Sequence, residues 1–357
     1  MNIVHVVEAW KGGIASYVEV LVKDQVDRGY NVTILADAEQ LASDNRKLDV
    51  PVLGYDASRR PWRFRSISSK LEELILKLGA DVVHCHSTFP GLYVRLRNHS
   101  AKVIYTPHSW SFFKQDVNRL VRLAYRFAER VLSSRCESIV CMSMDEMASA
   151  MRARIPARKL HLVYSGIPKY QSEPVLNRDS LCECSLKVGF FGRFDYQKGF
   201  DLIEKLGPLL NETVELHLFG GAVRERERKL DSRLVDHGWI DHKSIPKHMA
   251  SMDVILIPSR WEGFALTPLE AMRVGRPVII SNQSSLPEVV IHGFNGLVLS
   301  EFSTAELARL LNQLTRKECQ RMGENASQVF AGAFKYSDFL DKMNEVYLSD
   351  SSVSLSS

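Results

Sequence analysis

Short apolar runs alternate with amphipathic stretches along almost the whole chain, and this alternation constrains the fold more than any other feature. Asn2–Val7 is a β-rich run, an amphipathic helix follows over about Ala15–Arg28, Gly29 closes it, and Val32–Ala36 is the next run. Further strands are expected at Val50–Leu53, Asp81–His84, Val103–Thr106 and Ser138–Met142, with helices at about Ile67–Leu78 and Asn118–Cys136. The pattern resumes with strands at Lys187–Phe191, Glu215–Phe219, Asp253–Ile257, Pro277–Ser281 and Gly296–Val298. Helices then follow at Ala305–Leu314, Glu318–Phe330 and Tyr336–Tyr347. Strands separated by helices pair in parallel through crossovers, so the expected class is α/β with doubly wound parallel sheets.

A chain of 357 residues favours two domains of about 150 residues or somewhat more. Between Pro168 and Ser185 the periodicity lapses into polar and turn-forming residues. The expected division is therefore a first domain at 1–168, a linker at 169–186, a second domain at 187–333, a last helix at 334–348 and a serine-rich disordered tail at 349–357. A composition 45% hydrophobic and 25% charged belongs to an ordinary soluble protein. With no basic leader before an apolar core and no spanning stretch, a cytoplasmic protein is expected. Six scattered cysteines, with Cys182-Glu183-Cys184 spaced for neither a zinc knuckle nor a thioredoxin motif, are expected as reduced thiols.

Two strand-to-helix junctions carry the chemistry. After the run ending at Phe191 come Gly192, Arg193, Asp195, Lys198 and Gly199, which put a guanidinium and an ammonium on a loop at the carboxyl end of a strand, where a diphosphate would suit them. After Val254–Ile257 comes Glu262-Gly263-Phe264-Ala265-Leu266-Thr267-Pro268-Leu269-Glu270. Thr267 reads as an N-cap, Pro268 as the first helical residue and Glu270 as the third, which predicts a helix over Leu269–Val274 whose unpaired amides form an anion site. Glu270 could equally close a capping box on Thr267.

FFGRFDYQKGFDLIE, residues 190–204, with PSRWEGFALTPLEAMRVGRPVI, residues 258–279, resembles the retaining glycosyltransferases of the GT-B class, group 1 or GT4, whose signature is two glutamates separated by seven residues. The resemblance covers nearly the whole chain. It implies two facing Rossmann-like domains with a cleft between them, and transfer of a hexose or N-acetylhexosamine from a nucleoside-diphosphate sugar, UDP favoured, with retention of configuration. No metal or cofactor is implied. The implied acceptor is a glycan or polyprenyl-diphosphate-linked sugar of a surface polysaccharide.

By the same resemblance Glu262 and His108 are catalytic, with His108 closing the strand in Thr106-Pro107-His108. Arg193, Lys198, Gly13, Leu266 and Thr267 hold the diphosphate, Glu270 the ribose, and Gly220, Trp239 and Ile240 line the base region from loops, although Trp239 could equally be a core residue. Ser284-Ser285 stands where the family usually has paired glycines, which puts in doubt a close approach of that backbone to ligand. A noncatalytic nucleotide-sugar-binding subunit and a GT-B sugar-nucleotide epimerase are the alternatives.

Other features are less specific. Gly12-Gly13 does not make the G-x-G-x-x-G of a dinucleotide site and is either a phosphate approach or a plain tight turn. His84 and His86 alternate on one strand and point the same way, which suits a structural or acceptor-side role better than a metal site. Arg119, Arg122, Arg126 and Arg130 recur at helical spacing. Residues 1–165 hold 24 lysines and arginines against 17 acidic residues, and the rest 22 against 25. The basic helix face is either merely solvated or peripheral to an anionic membrane; no nucleic-acid motif accompanies it.

Overall fold

The computed structural model describes residues 1–10, 12–41, 48–168, 185–222 and 230–349. Most of the expected linker, the charge run Arg224–Lys229, Cys182, Cys184 and the tail beyond 349 lie outside them. The chain divides into two units, Met1–Gly166 joined by the segment from Ser337, and Ile167–Tyr336.

The first unit carries β1 (Asn2–Val6), β2 (Asn31–Asp37), β3 (Val52–Tyr55), β4 (Val82–His86), β5 (Lys102–Thr106), β6 (Ser138–Cys141) and β7 (Leu160–Leu162). They pair in parallel in the order β3-β2-β1-β4-β5-β6-β7. The order reverses between β1 and β4, so the crevice at their carboxyl ends is a topological switch point.

The second unit carries β8 (Leu186–Arg193), β9 (Val214–Gly221), β10 (Leu234–Asp236), β11 (Val254–Ile257), β12 (Val278–Ile280) and β13 (Gly296–Val298). These too are parallel, in the order β10-β9-β8-β11-β12-β13, and here the switch point falls between β8 and β11. The central strands are buried on both faces, which explains their unbroken apolar runs. Two doubly wound parallel sheets were expected, and two are found.

The last helix, Tyr336–Leu348, packs on the first unit through Phe339, Met343 and Tyr347. Tyr30 donates to Asn344 Oδ1 at 2.9 Å and Tyr17 to Met343 Sδ at 3.6 Å. Cys85, Cys136, Cys141 and Cys319 are free and buried.

The helix Arg119–Leu132 is set in an unexpected register. Helices normally bury their apolar stripe, yet this one buries Glu129 and Leu132 and turns Leu120, Leu123, Phe127 and Val131 outward, all at least half exposed. Glu129 decides the register. Its carboxylate accepts from Arg95 Nη2 at 2.9 Å and from the Tyr105 hydroxyl at 3.1 Å, and the Arg95 guanidinium lies 3.7 Å above the Tyr105 ring. Arg95 and Glu129 are both buried. Removing one partner strands the other charge, so Glu129→Ala should cost about 3–5 kcal/mol in urea unfolding; a loss under about 1 kcal/mol would show that the pair does not hold the helix.

Candidate active sites

In the second unit the two junctions meet because β8 and β11 are neighbours. Lys198 Nζ donates to Glu262 Oε1 at 2.6 Å, and both side chains are largely buried. Arg193 forms an ion pair with Asp195 at 3.1 Å and donates to Gln197 Oε1 at 2.9 Å. Gln197 Nε2 in turn donates to the Trp261 carbonyl at 3.1 Å, and the Arg260 amide donates to the Gln197 carbonyl at 2.8 Å. Asp195 folds the loop by accepting from the Lys198 amide at 2.9 Å. Gly199 is obligatory: its φ is +70°, and a Cβ there would lie 2.0 Å from the Pro258 carbonyl oxygen. A cation pair and a carboxylate are thereby held at the sheet's ligand edge.

Several expectations about this unit need correction. Arg193 is the last residue of β8, not a loop residue. The helix after Glu262 spans Leu266–Arg273 with Ala265 at its N-cap and no side-chain cap, so Thr267 is inside the first turn and no capping box joins it to Glu270. Fixing the preceding loop through Glu262 outweighs a cap preference worth about 1 kcal/mol. The capping box lies elsewhere, at Thr315 and Glu318. Leu266 and Thr267 therefore contribute amides from the helix's open first turn. Burial pushes the Glu270 carboxyl above its usual range, opposed by His242, Arg273 and Lys198.

Ser284 does what a glycine would do there. It takes φ +55°, and its hydroxyl donates to the Glu262 carbonyl at 2.6 Å, tying down the backbone of that glutamate. Gly220 is the next-to-last residue of β9, where a loop was expected, and its amide donates to the Gly238 carbonyl at 2.8 Å. Trp239 is 65% exposed beside Gly221, so it is no core residue, and Ile240 is half-buried.

In the first unit, Gly12 rather than Gly13 takes the left-handed conformation, with φ +70°; Gly13 is the first helical residue. His108 follows β5 with φ +52°, and Ser109 with φ +84°. Two such non-glycine residues in succession need support. Buried Glu146 supplies it, accepting from the Ser109 amide at 2.6 Å and the Met142 amide at 2.8 Å, while Trp110 Nε1 donates to its carbonyl at 3.0 Å. Burial pushes the His108 imidazole down to about 3, so it is neutral at pH 7. Tyr17 meets its ring edge-on at 4.9 Å.

His84 and His86 do share a face, and His5 joins them from β1, where it is in register with His84. The three come within 4.8 Å of one another through their ligating atoms. His5 was missed because β1 reads as an ordinary buried strand; a histidine inside an apolar run was the available signal. The part played by Gln197 and by Ser284 was missed because Trp261 and Glu262, whose carbonyls they hold, lie 64 and 22 positions away.

Two doubly wound parallel sheets in one chain, each with its switch point at the ligand edge, are the GT-B architecture. Residues 183–329 match the glycosyl transferases group 1, and residues 11–169 match glycosyltransferase family 4. The chain belongs to this family and is a glycosyltransferase.

A protein of 41.2 kDa in the cps region of Klebsiella pneumoniae is 27% identical over 98% of this chain and 100% of its own length. The UDP-Gal:alpha-D-GlcNAc-diphosphoundecaprenol alpha-1,3-galactosyltransferase of Escherichia coli is 25% identical over 78% of each chain. Among solved structures, Anabaena Alr3699/HepE in complex with UDP-glucose superposes with a TM-score of 0.79 at 18% identity, over 97% of this chain and 99% of its own. No helix among the described residues is long and apolar enough to cross a membrane.

Proposed function

We propose that this glycosyltransferase moves a hexose or N-acetylhexosamine from a UDP-sugar, with retention of anomeric configuration and without a metal ion, onto a polyprenyl-diphosphate-linked sugar of a growing surface polysaccharide. The observation that carries the reading is the Lys198–Glu262 pair at the switch point of the second sheet. Lys198 and Arg193, with the amides opening the helix at Leu266 and Thr267, have the chemistry to hold a leaving diphosphate. Glu262 contacts the donor sugar and steadies positive charge at the anomeric carbon. Glu270 takes the ribose hydroxyls, Gly220, Trp239 and Ile240 border the base, and Gly13 lies along the donor phosphates. His108 offers a neutral imidazole to a sugar hydroxyl. The names of the E. coli relative and the Anabaena complex support a UDP-sugar, and the former supports a lipid-linked acceptor.

The test is transfer from a panel of labelled UDP- and GDP-sugars to an undecaprenyl-diphosphate-linked sugar, with and without EDTA, reading the new anomeric centre by NMR. An α-linked product from an α-linked UDP-sugar, unaffected by EDTA, is expected. An inverted product or loss of activity in EDTA overturns the mechanism. Turnover of the donor to an epimer without acceptor replaces the reading with the epimerase.

The helix Arg119–Leu132 fits the same setting. An exposed stripe of Leu120, Leu123, Phe127 and Val131 with exposed Arg119, Arg126 and Arg130 beside it has the build of a helix lying in an anionic bilayer surface. Binding to phosphatidylglycerol vesicles should fall at least about tenfold with Arg126→Glu and Arg130→Glu together, and Phe127→Ser should weaken it as well. Equal sedimentation with phosphatidylcholine and phosphatidylglycerol vesicles would show the face to be solvated only.

A further inference from the structure

Four side chains of the first unit form one hydrogen-bonded line that ends at His108. His108 Nε2 lies 3.1 Å from His86 Nδ1, His86 Nε2 lies 2.9 Å from His5 Nδ1, and His5 Nε2 lies 2.9 Å from Gln25 Oε1. His5, His86 and Gln25 are completely or almost completely buried. A neutral imidazole has one N–H and one lone pair, so in each link one ring donates and the other accepts.

The last link sets the direction. Gln25 Oε1 can only accept, so His5 carries its proton on Nε2 and accepts on Nδ1 from His86 Nε2–H. His86 Nδ1 then accepts from His108 Nε2–H. What remains at the open end is the lone pair of His108 Nδ1, which no hydrogen bond from a described residue reaches. Burial keeps the rings neutral, holding His5 at about 4 and His86 well below the usual range.

We propose that Gln25, His5 and His86 are positioning residues that lock His108 in a single neutral tautomer, protonated on Nε2, so that Nδ1 accepts a hydrogen bond from a hydroxyl of the transferred sugar. The proposal rests on the reading of His108 as a donor-sugar contact. It adds a selection rule: the group opposite Nδ1 must be a donor, so a sugar bearing a carboxylate there is rejected. His84 stands beside the line rather than in it, bonded to the Tyr347 hydroxyl at 2.7 Å and to Thr106 Oγ1 at 2.8 Å. A metal ion held by His5, His84 and His86 is the competing use of the cluster, but all six of their ring nitrogens already have partners within 3.1 Å.

The deciding experiment is a two-bond proton–nitrogen correlation spectrum of the ¹⁵N-labelled full chain at neutral pH without substrate, with single His→Gln variants used for assignment. His5, His86 and His108 should each show a neutral, Nε2-protonated ring. The Nδ1-protonated pattern throughout, which a reversed Gln25 amide would impose, overturns the proposal, as does a mixture or a charged ring at His108. Gln25→Met removes the terminal acceptor and should convert His108 to a mixture of tautomers; an unchanged His108 pattern in this variant overturns the coupling. Should that variant fail to fold, the spectrum of the unsubstituted protein still decides. Changes in these signals on adding one equivalent of zinc, reversed by EDTA, would establish the metal site instead. Transfer that depends on His108 while its tautomer is wrong sinks the lock alone. Undiminished transfer by His108→Ala with the expected spectrum sinks the sugar contact alone.

Discussion

Glu262→Gln is expected to lower turnover by about 10²- to 10³-fold, the loss typical of removing one preorganised electrostatic group from a transition state. Glutamine keeps the shape and leaves Lys198 a hydrogen-bond acceptor at the position now held at 2.6 Å, so the loop should survive and the melting temperature should hardly move. What disappears is the negative charge. Nucleotide binding should hold or tighten slightly, because Lys198 no longer shares its charge with a carboxylate and is freer to meet a phosphate. Glu270→Gln should do the reverse, weakening UDP while leaving the chemical step less changed. The paired measurements are kcat at saturating donor and acceptor, and UDP affinity by calorimetry. Turnover of Glu262→Gln within about threefold of the unsubstituted enzyme would remove Glu262 from the reaction.

Acid should unfold the first unit well before pH 4. Burial lowers the four histidines clustered around His86 below their ordinary value of 6.5, His5 to about 4, His108 to about 3 and His84 and His86 far down. Below pH 6.5 the unfolded chain takes up protons on these rings and the folded chain does not. The stability present above pH 6.5 is therefore lost as pH falls toward the folded values. Each ring contributes up to about 1.4 kcal/mol per pH unit, and a domain has only about 5–15 kcal/mol in total. Two rings acting fully over two pH units would remove a third or more of that. Urea unfolding at pH 7.5, 6 and 5 should show the decline, and His84→Gln should lessen its slope. A midpoint flat from pH 7.5 to 5 would contradict neutral burial of the cluster.

The two candidate sites differ in how far they could be read before the fold was known. Arg193, Lys198 and Glu262 were legible because each lies within a few residues of the end of an apolar run, and the carboxyl end of a parallel strand borders the sheet's ligand edge whatever the strand order. Their pairing was not legible: Lys198 and Glu262 are 64 positions apart, and they meet only because β8 and β11 are adjacent. Trp239 was ambiguous between core and ligand edge for the same reason, since exposure depends on what covers a side chain rather than on the side chain itself.

By itself the sequence determined the alternation of strand and helix, the parallel class of both sheets, the carboxyl-end location of the charged junctions and the signature glutamates, because these depend on periodicity and neighbours within a few residues. Tertiary structure decided the rest. The helix expected to begin after Thr267 starts at Leu266. The helix Arg119–Leu132 buries a glutamate and exposes its apolar stripe because Arg95 and Tyr105 offer that carboxylate better partners than water. Gln25, His5, His86 and His108, from four separated segments, become one line of hydrogen bonds. Local preferences are worth about 1 kcal/mol or less at a position, whereas leaving a buried charge or polar group unpaired costs several times that. Where the two conflict, as in these helices, the distant partner wins.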